Sequence, residues 1–120
     1  MKHRNIIELY HYTENKEEVA LYLEYANKPS YLHDLIIEQH TPIEDEAQLK
    51  IFARQILEGL AYIHNQGVIH GDIKLENMLT HETEEDGLVM KICDFGVSHI
   101  LDPSKGGKLW IENAFGTFGY

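Results

Sequence analysis

Leu49, Phe52, Ala53, Ile56, Leu60 and Ile63 recur at spacings of three and four, which gathers them on one stripe of an α-helix. A segment of this kind must bury that stripe against something, so it sets the centre around which shorter elements have to pack. Thr41-Pro42-Ile43-Glu44 fits a capping box at its start: Thr41 is the N-cap, Pro42 stands where a missing N–H does no harm, and Glu44 reaches back to the cap. Gly67, just past Asn65-Gln66, suits the left-handed residue that stops a helix. The helix is therefore expected to run from the Thr41 cap to residue 66.

The flanking stretches have a different texture. Residues 6–12 and 19–25 are aromatic and β-branched runs separated by polar residues, the pattern of adjacent antiparallel strands. Asn27-Lys28-Pro29-Ser30 breaks the second run, and residues 32–37 form a short helix. Residues 77–80 and 88–93 suggest a hairpin, with the acidic run 82–86 (ETEED) as a solvated loop tip and Asp86-Gly87 as its turn signal. Beyond Asp94, glycines at 96, 106, 107, 116 and 119 and Pro103 leave little periodicity. Strands, a long helix and a hairpin together predict an α+β fold.

Composition removes several functions. A net charge of −10 with only ten Lys and Arg argues against a nucleic-acid partner, which calls for a basic face. No apolar run approaches a membrane span and the start, MKHRNIIELYHY, has no signal-peptide core, so no membrane association is expected. Cys93 is the only cysteine and cannot form an internal disulfide, which favours a reducing, cytoplasmic setting. The eight histidines form no HxxxH pair on the long helix, a weak basis for a histidine metal site.

The chemistry concentrates in residues 70–77, HGDIKLEN. Asp72 on a tight turn is a candidate general base or metal ligand, and Lys74 can neutralise an anionic substrate. Asn77 offers a neutral oxygen and Asp94, past the hairpin, a charged one. Two oxygen ligands, completed by waters and phosphate oxygens, suit Mg²⁺. Base, cation and two magnesium ligands together describe phosphoryl transfer. Singly each has a plainer explanation, since HGD can be a turn with a satisfied histidine and a DFG tripeptide arises by chance.

Together these motifs resemble the middle of a eukaryotic protein kinase domain of the serine/threonine type. HGDIKLEN is similar to the catalytic loop HRDxKxxN, DFG at 94–96 to the magnesium loop, and GTFGY at 116–120 to the segment before APE. HRNIIELY at 3–10 resembles the loop and fourth strand after the αC helix, and LYLEYA at 21–26 the fifth strand and hinge. The resemblance covers the whole chain in the right order. It implies a kinase-like fold, present in part: N-lobe strands over residues 1–23, a hinge over 24–30 and the first part of the C-lobe over 31–120.

What the resemblance implies for single residues follows the motifs. Asp72 corresponds to the base that accepts the substrate hydroxyl proton, Lys74 to the lysine that stabilises the transferring phosphoryl group, and Asn77 and Asp94 to the Mg²⁺ ligands. Glu24 and Ala26 correspond to the hinge positions whose backbone holds the adenine of ATP, with Leu23 as gatekeeper and Leu79 beneath the ring. Leu9, Phe95 and His70 resemble three members of the hydrophobic stack that aligns the lobes, and Thr117 the threonine that contacts the catalytic residues. The implied partners are ATP and a protein bearing Ser or Thr.

There are departures. Gly71 replaces the arginine that in many kinases pairs with a phosphorylated activation loop, and KGGKLWIENAF at 105–115 has no hydroxyl to phosphorylate. Independence from that switch is therefore expected. No GxGxxG loop, no VAIK-type lysine and no APE is present, so the 120 residues are expected to be a fragment, marginally stable and inactive alone. Two rivals remain. HGDxxxxN also occurs in small-molecule kinases resembling the aminoglycoside phosphotransferases, although Lys74 and GTFGY speak against that reading. A catalytically silent scaffold module is the other.

Overall fold

The computed structural model of the chain describes residues 1–102, 104, 116 and 117. Residues 105–115 of the activation segment, and the FGY that ends GTFGY, lie outside the described residues.

Strand β1 (Leu9–Glu14) pairs antiparallel with β2 (Val19–Leu23), so the expected hairpin forms, shifted from 6–12 and 19–25. The shift has a cause in burial. Ile6 and Ile7 leave the hairpin and run along the later strand β5 (Gly87–Ile92), where Ile7 N donates to Ile92 O and Ile92 N to Asn5 O. Both isoleucines are buried there, whereas Tyr10, Tyr12, Val19, Leu21 and Tyr22 on the hairpin stay exposed.

Helix α1 (Tyr31–His33) continues as a π-turn over Asp34–Glu38 and seats Leu32 in the core. Helix α2 (Glu46–Asn65) then crosses the molecule. Its start corrects the capping box expected at Thr41. Asp45 is the cap, its Oδ1 accepting from Ala47 N at 2.9 Å and Gln48 N at 3.4 Å. Thr41 instead closes the preceding turn, its N donating to Leu35 O and its hydroxyl to Gln39 O. Thr41 is thus already bonded into the preceding turn, and Asp45-x-x-Gln48 is itself a cap pattern, so the later signal prevails. Gly67 ends the helix at φ +71, as expected.

The buried stripe of α2 is Phe52, Gly59 and Ile63, flanked by Ile56 and Leu60. Leu49 and Ala53, expected on that stripe, are exposed. The partner is β5, which pairs with β4 (Met78–Thr83) across a turn at Glu84, Glu85 and Asp86. Glu82 and Thr83, expected in the loop tip, are thus strand residues. Ile6, Leu32, Phe52, Ile63, Met78, Met90 and Ile92 make the core, each contributing on the order of 1.5–3 kcal/mol of burial.

One edge of β5 takes β4, and the other is completed largely by side chains. Gln55 on α2 accepts from Met90 N at 2.6 Å and donates to Leu88 O, while Asn5 Nδ2 donates to Met90 O at 2.8 Å. Buried backbone groups need partners, and two amide side chains here do what a third strand would. Beyond the hairpin, β3 (Val68–Ile69) pairs with β6 (His99–Ile100), giving structure to part of the stretch after Asp94 that had no periodicity. The sheets, the helix and their order form an α+β fold, as expected. Among the described residues, no helix is long and apolar enough to cross a membrane.

Candidate active site

The loop between β3 and β4 is hung from two fixed points. His70, buried at 1% exposure, has its Nε2 2.9 Å from Cys93 O, and its Nδ1 accepts from Asp72 N at 3.2 Å. Because Nδ1 accepts, Nε2 must carry the proton that goes to the carbonyl. The imidazole thus ties the turn at Asp72 to the residue preceding Asp94. Its ring lies 4.8 Å from that of Phe95, tilted by 59°, so two of the three expected stack members meet. Leu9, the third, is half exposed on β1.

Asp72, Lys74 and Asn77 converge. Asn77 Nδ2 donates to Asp72 O at 2.9 Å and to Asp72 Oδ2 at 3.2 Å, and Lys74 Nζ is 3.1 Å from the same carboxylate oxygen. The other oxygen accepts from Thr117 Oγ1 at 2.7 Å, and Thr117 in turn accepts from Lys74 Nζ at 2.5 Å. The Thr117 hydrogen bond, with Lys74 and Asn77 behind it, holds the Asp72 carboxyl below the ordinary aspartate range. The carboxylate likewise holds the Lys74 ammonium above the usual lysine value. The group stays a charged pair.

Asn77 is buried and its amide nitrogen is spent on Asp72, which leaves Oδ1 as the atom free to ligate. Its carbonyl accepts from Cys93 N at 3.0 Å, so the hairpin closes with Asp94 beside it, as expected. Asp94 is exposed, sits at φ +60, and accepts at Oδ1 from Gly96 N at 3.1 Å. An aspartate tolerates that backbone region better than most residues, and the conformation turns the chain sharply at the hairpin exit. Two hard oxygens, one neutral and one anionic, fit Mg²⁺ as a ligand pair. Cys93 between them is no nucleophile, since burial and then the Asp94 charge push its thiol up to about 11.

The expected nucleotide positions lie along a second line. Glu24 N donates to Glu8 O and Ala26 is buried, while Leu23 is half exposed at the end of β2. Past them the chain is fastened to β4 by Lys28 N to Thr80 O and by Asn27, whose side-chain amide pairs with both N and O of Glu82. Leu79 is on that strand, half-buried, one residue from Thr80.

One contact had no forecast: Lys91, buried in β5, lies 2.9 Å from Glu24 Oε1 and donates to Arg4 O at 2.8 Å. A lysine inside the apolar run LVMKIC was its only sign in the sequence. A further group, His33, Asp34 and Glu38, has potential ligand atoms within 4.8 Å of one another. The π-turn assembles it, because a wider turn brings positions five apart onto one face.

The protein kinase domain family matches this chain over residues 1–120. Serine/threonine-protein kinase PLK2 of Mus musculus is 34% identical over 103 residues, covering 86% of this chain and 14% of its own length. NUAK family SNF1-like kinase 1 of Mus musculus is 38% identical over 105 residues, 88% of this chain and 15% of its own length. Calcium/calmodulin-dependent protein kinase type 1 of Macrobrachium nipponense is 38% identical over all 120 residues, 32% of its own length. The chain therefore spans between about a seventh and a third of these relatives.

Proposed function

Because the chain belongs to the protein kinase domain family, we propose that it carries the catalytic loop and magnesium loop of a serine/threonine protein kinase that transfers the γ-phosphoryl group of ATP to a protein hydroxyl. The observation that carries this reading is the convergence of Asp72, Lys74, Asn77 and Thr117 in one hydrogen-bonded group. Asp72 orients the acceptor hydroxyl and takes its proton late, when bond formation to phosphorus has made that proton acidic. Lys74 faces the charge that develops on the transferring group. The oxygens of Asn77 and Asp94 would hold Mg²⁺, which would supply charge neutralisation on the phosphates. Residues 23–26 and Leu79 form the adenine-facing surface.

A mixture of protein and small-molecule acceptors, incubated with full-length protein and γ-labelled ATP, tests the reading. Label should appear as phosphoserine or phosphothreonine in protein; label confined to a small-molecule acceptor would support the aminoglycoside-type alternative, and MgATP binding without any transfer the scaffold alternative. Residues 1–120 alone contain no Gly-rich loop and no VAIK lysine, and in that assay are expected to transfer nothing.

The regulatory part of the proposal concerns two glycines. Gly71 has φ +86 and Gly116 φ +104, and a Cβ on Gly116 would stand 2.8 Å from Gly71 O. Backbone contact at that distance admits no side chain, and positive φ disfavours one in any case. The segment at 116–117 thus seats directly on the catalytic loop where Gly71 stands in place of an arginine, and on this reading it needs no phosphate to hold it. Gly116→Ala is expected to lift Thr117 off Asp72 and lower kcat by about tenfold, which is roughly 1.4 kcal/mol. Steady-state assays check this, and a loop phosphate required for activity, found by mass spectrometry, would refute phosphate-independent seating.

A further inference from the structure

The chain has two arginines, Arg4 and Arg54, and both line one open cavity of about 450 Å³. Lys50, one helical turn before Arg54 on α2, joins them, so three of the ten Lys and Arg of a chain with net charge −10 meet in one place. Ile51, half exposed, Asn5 and Gln55 lie between them, and Glu58 and Asp86 complete the wall.

The cations are unequally engaged. Arg4 is 3.0 Å from Asp86. Lys50 is 2.6 Å from Glu46, but both side chains are more than 70% exposed, and such a surface pair is readily exchanged for another partner. Arg54 is exposed, and its side chain makes no hydrogen bond or ion pair among the described residues. A guanidinium presents a planar fork of donors that matches a carboxylate in two parallel bonds.

We propose that this cavity docks an acidic peptide segment of a partner protein, with one carboxylate on Arg54, a second on Lys50, and an apolar side chain between them covering Ile51. Charge chooses the occupant. The acidity of the chain as a whole opposes a polyanion such as nucleic acid, and Glu58 and Asp86 oppose two charges concentrated on one phosphate more than two carboxylates spaced along a peptide, while offering acceptors to peptide N–H groups. The cavity stands at the turn end of the β4–β5 hairpin, and Asn77 and Asp94 flank its other end, about 20 Å away for strands of this length. A docked segment would leave the catalytic loop open.

The test is fluorescence anisotropy on full-length protein, using a short labelled peptide that alternates Glu and Leu and a counterpart with Gln in place of Glu. The acidic peptide should bind about tenfold more tightly than the amide peptide, weaken as salt is raised, and lose about tenfold with Arg54→Glu. Lys50→Glu should act in the same direction. Both positions are exposed on a helix and glutamate is a good helix former, so the variants should fold and bind MgATP as the parent does. Equal affinity for the two peptides, no effect of Arg54→Glu, or displacement of the peptide by an equal concentration of inorganic phosphate would overturn the proposal. Binding is read without turnover, so these outcomes are independent of whether phosphotransfer is observed.

Discussion

Asp72→Asn in the full-length protein should lower kcat for phosphotransfer by roughly 10²- to 10⁴-fold, the range a positioned general base contributes. The substitution preserves shape, so Lys74, Asn77 and Thr117 can stay close, and only the negative charge and proton acceptor are lost. MgATP affinity should change little, because Asn77 Oδ1 and Asp94 remain. Single-turnover kinetics beside calorimetry separates the two quantities. A fall of less than tenfold would remove Asp72 from the role of base. The pH profile adds a second check. A carboxyl held below its ordinary range is ionised at neutral pH and remains so as pH falls through the usual aspartate value. The acid limb belonging to Asp72 should therefore lie below that value, and Thr117→Ala, which removes the strongest cause of the lowering, should move it upward.

Lys91→Met should cost about 3 kcal/mol of folding stability, read as a lower urea midpoint. The side chain is 9% exposed, and its ammonium holds both Glu24 and the carbonyl of Arg4. Removing it leaves a carboxylate without its cation, in a place where Glu24 Oε2 already accepts from Glu8 N. Breaking a buried pair from one side costs more than the pair itself contributes, since the surviving charge has lost its water and now its partner. The figure sits at the low end of that range because Glu24 keeps 22% exposure. Adding Glu24→Gln should restore much of the loss, and a double variant as unstable as the sum of the singles would show that the two side chains do not interact. Since Glu24 is also a proposed nucleotide position, MgATP affinity should fall with Lys91→Met and follow the same recovery.

The sequence was most informative where one physical requirement dominates. A helix with an apolar stripe must bury it, and a chain that needs positive φ takes glycine, so the body of α2 and its end at Gly67 were both legible. At its start, Thr41 and Asp45 offered rival caps, and Thr41 was taken up by the turn before it through Leu35 O and Gln39 O. Gln55 appears polar and solvent-facing in a helical projection, yet it is half-buried against β5, because a strand edge there needed donors and acceptors more than apolar area. Strands of two residues, such as β3 and β6, have no period to detect. At the site, Asp72, Lys74 and Asn77 could be anticipated because eight consecutive residues hold them. Lys91 and Glu24 could not be paired in advance, being 67 positions apart with nothing local to join them.

The seam between the N-terminal loop and β5 also has a timetable. Asn5 waits for Met90, 85 positions later, and at roughly 5–20 residues per second a ribosome needs some 4–17 seconds to deliver it. Through that interval Ile6 and Ile7 are on the nascent chain without the strand that will cover them, and β1 and β2 can already pair beside them. The order of synthesis therefore puts an exposed apolar pair next to an early hairpin, and codons that slow translation between β2 and β5 would lengthen its exposure to chaperones and to misassembly alike.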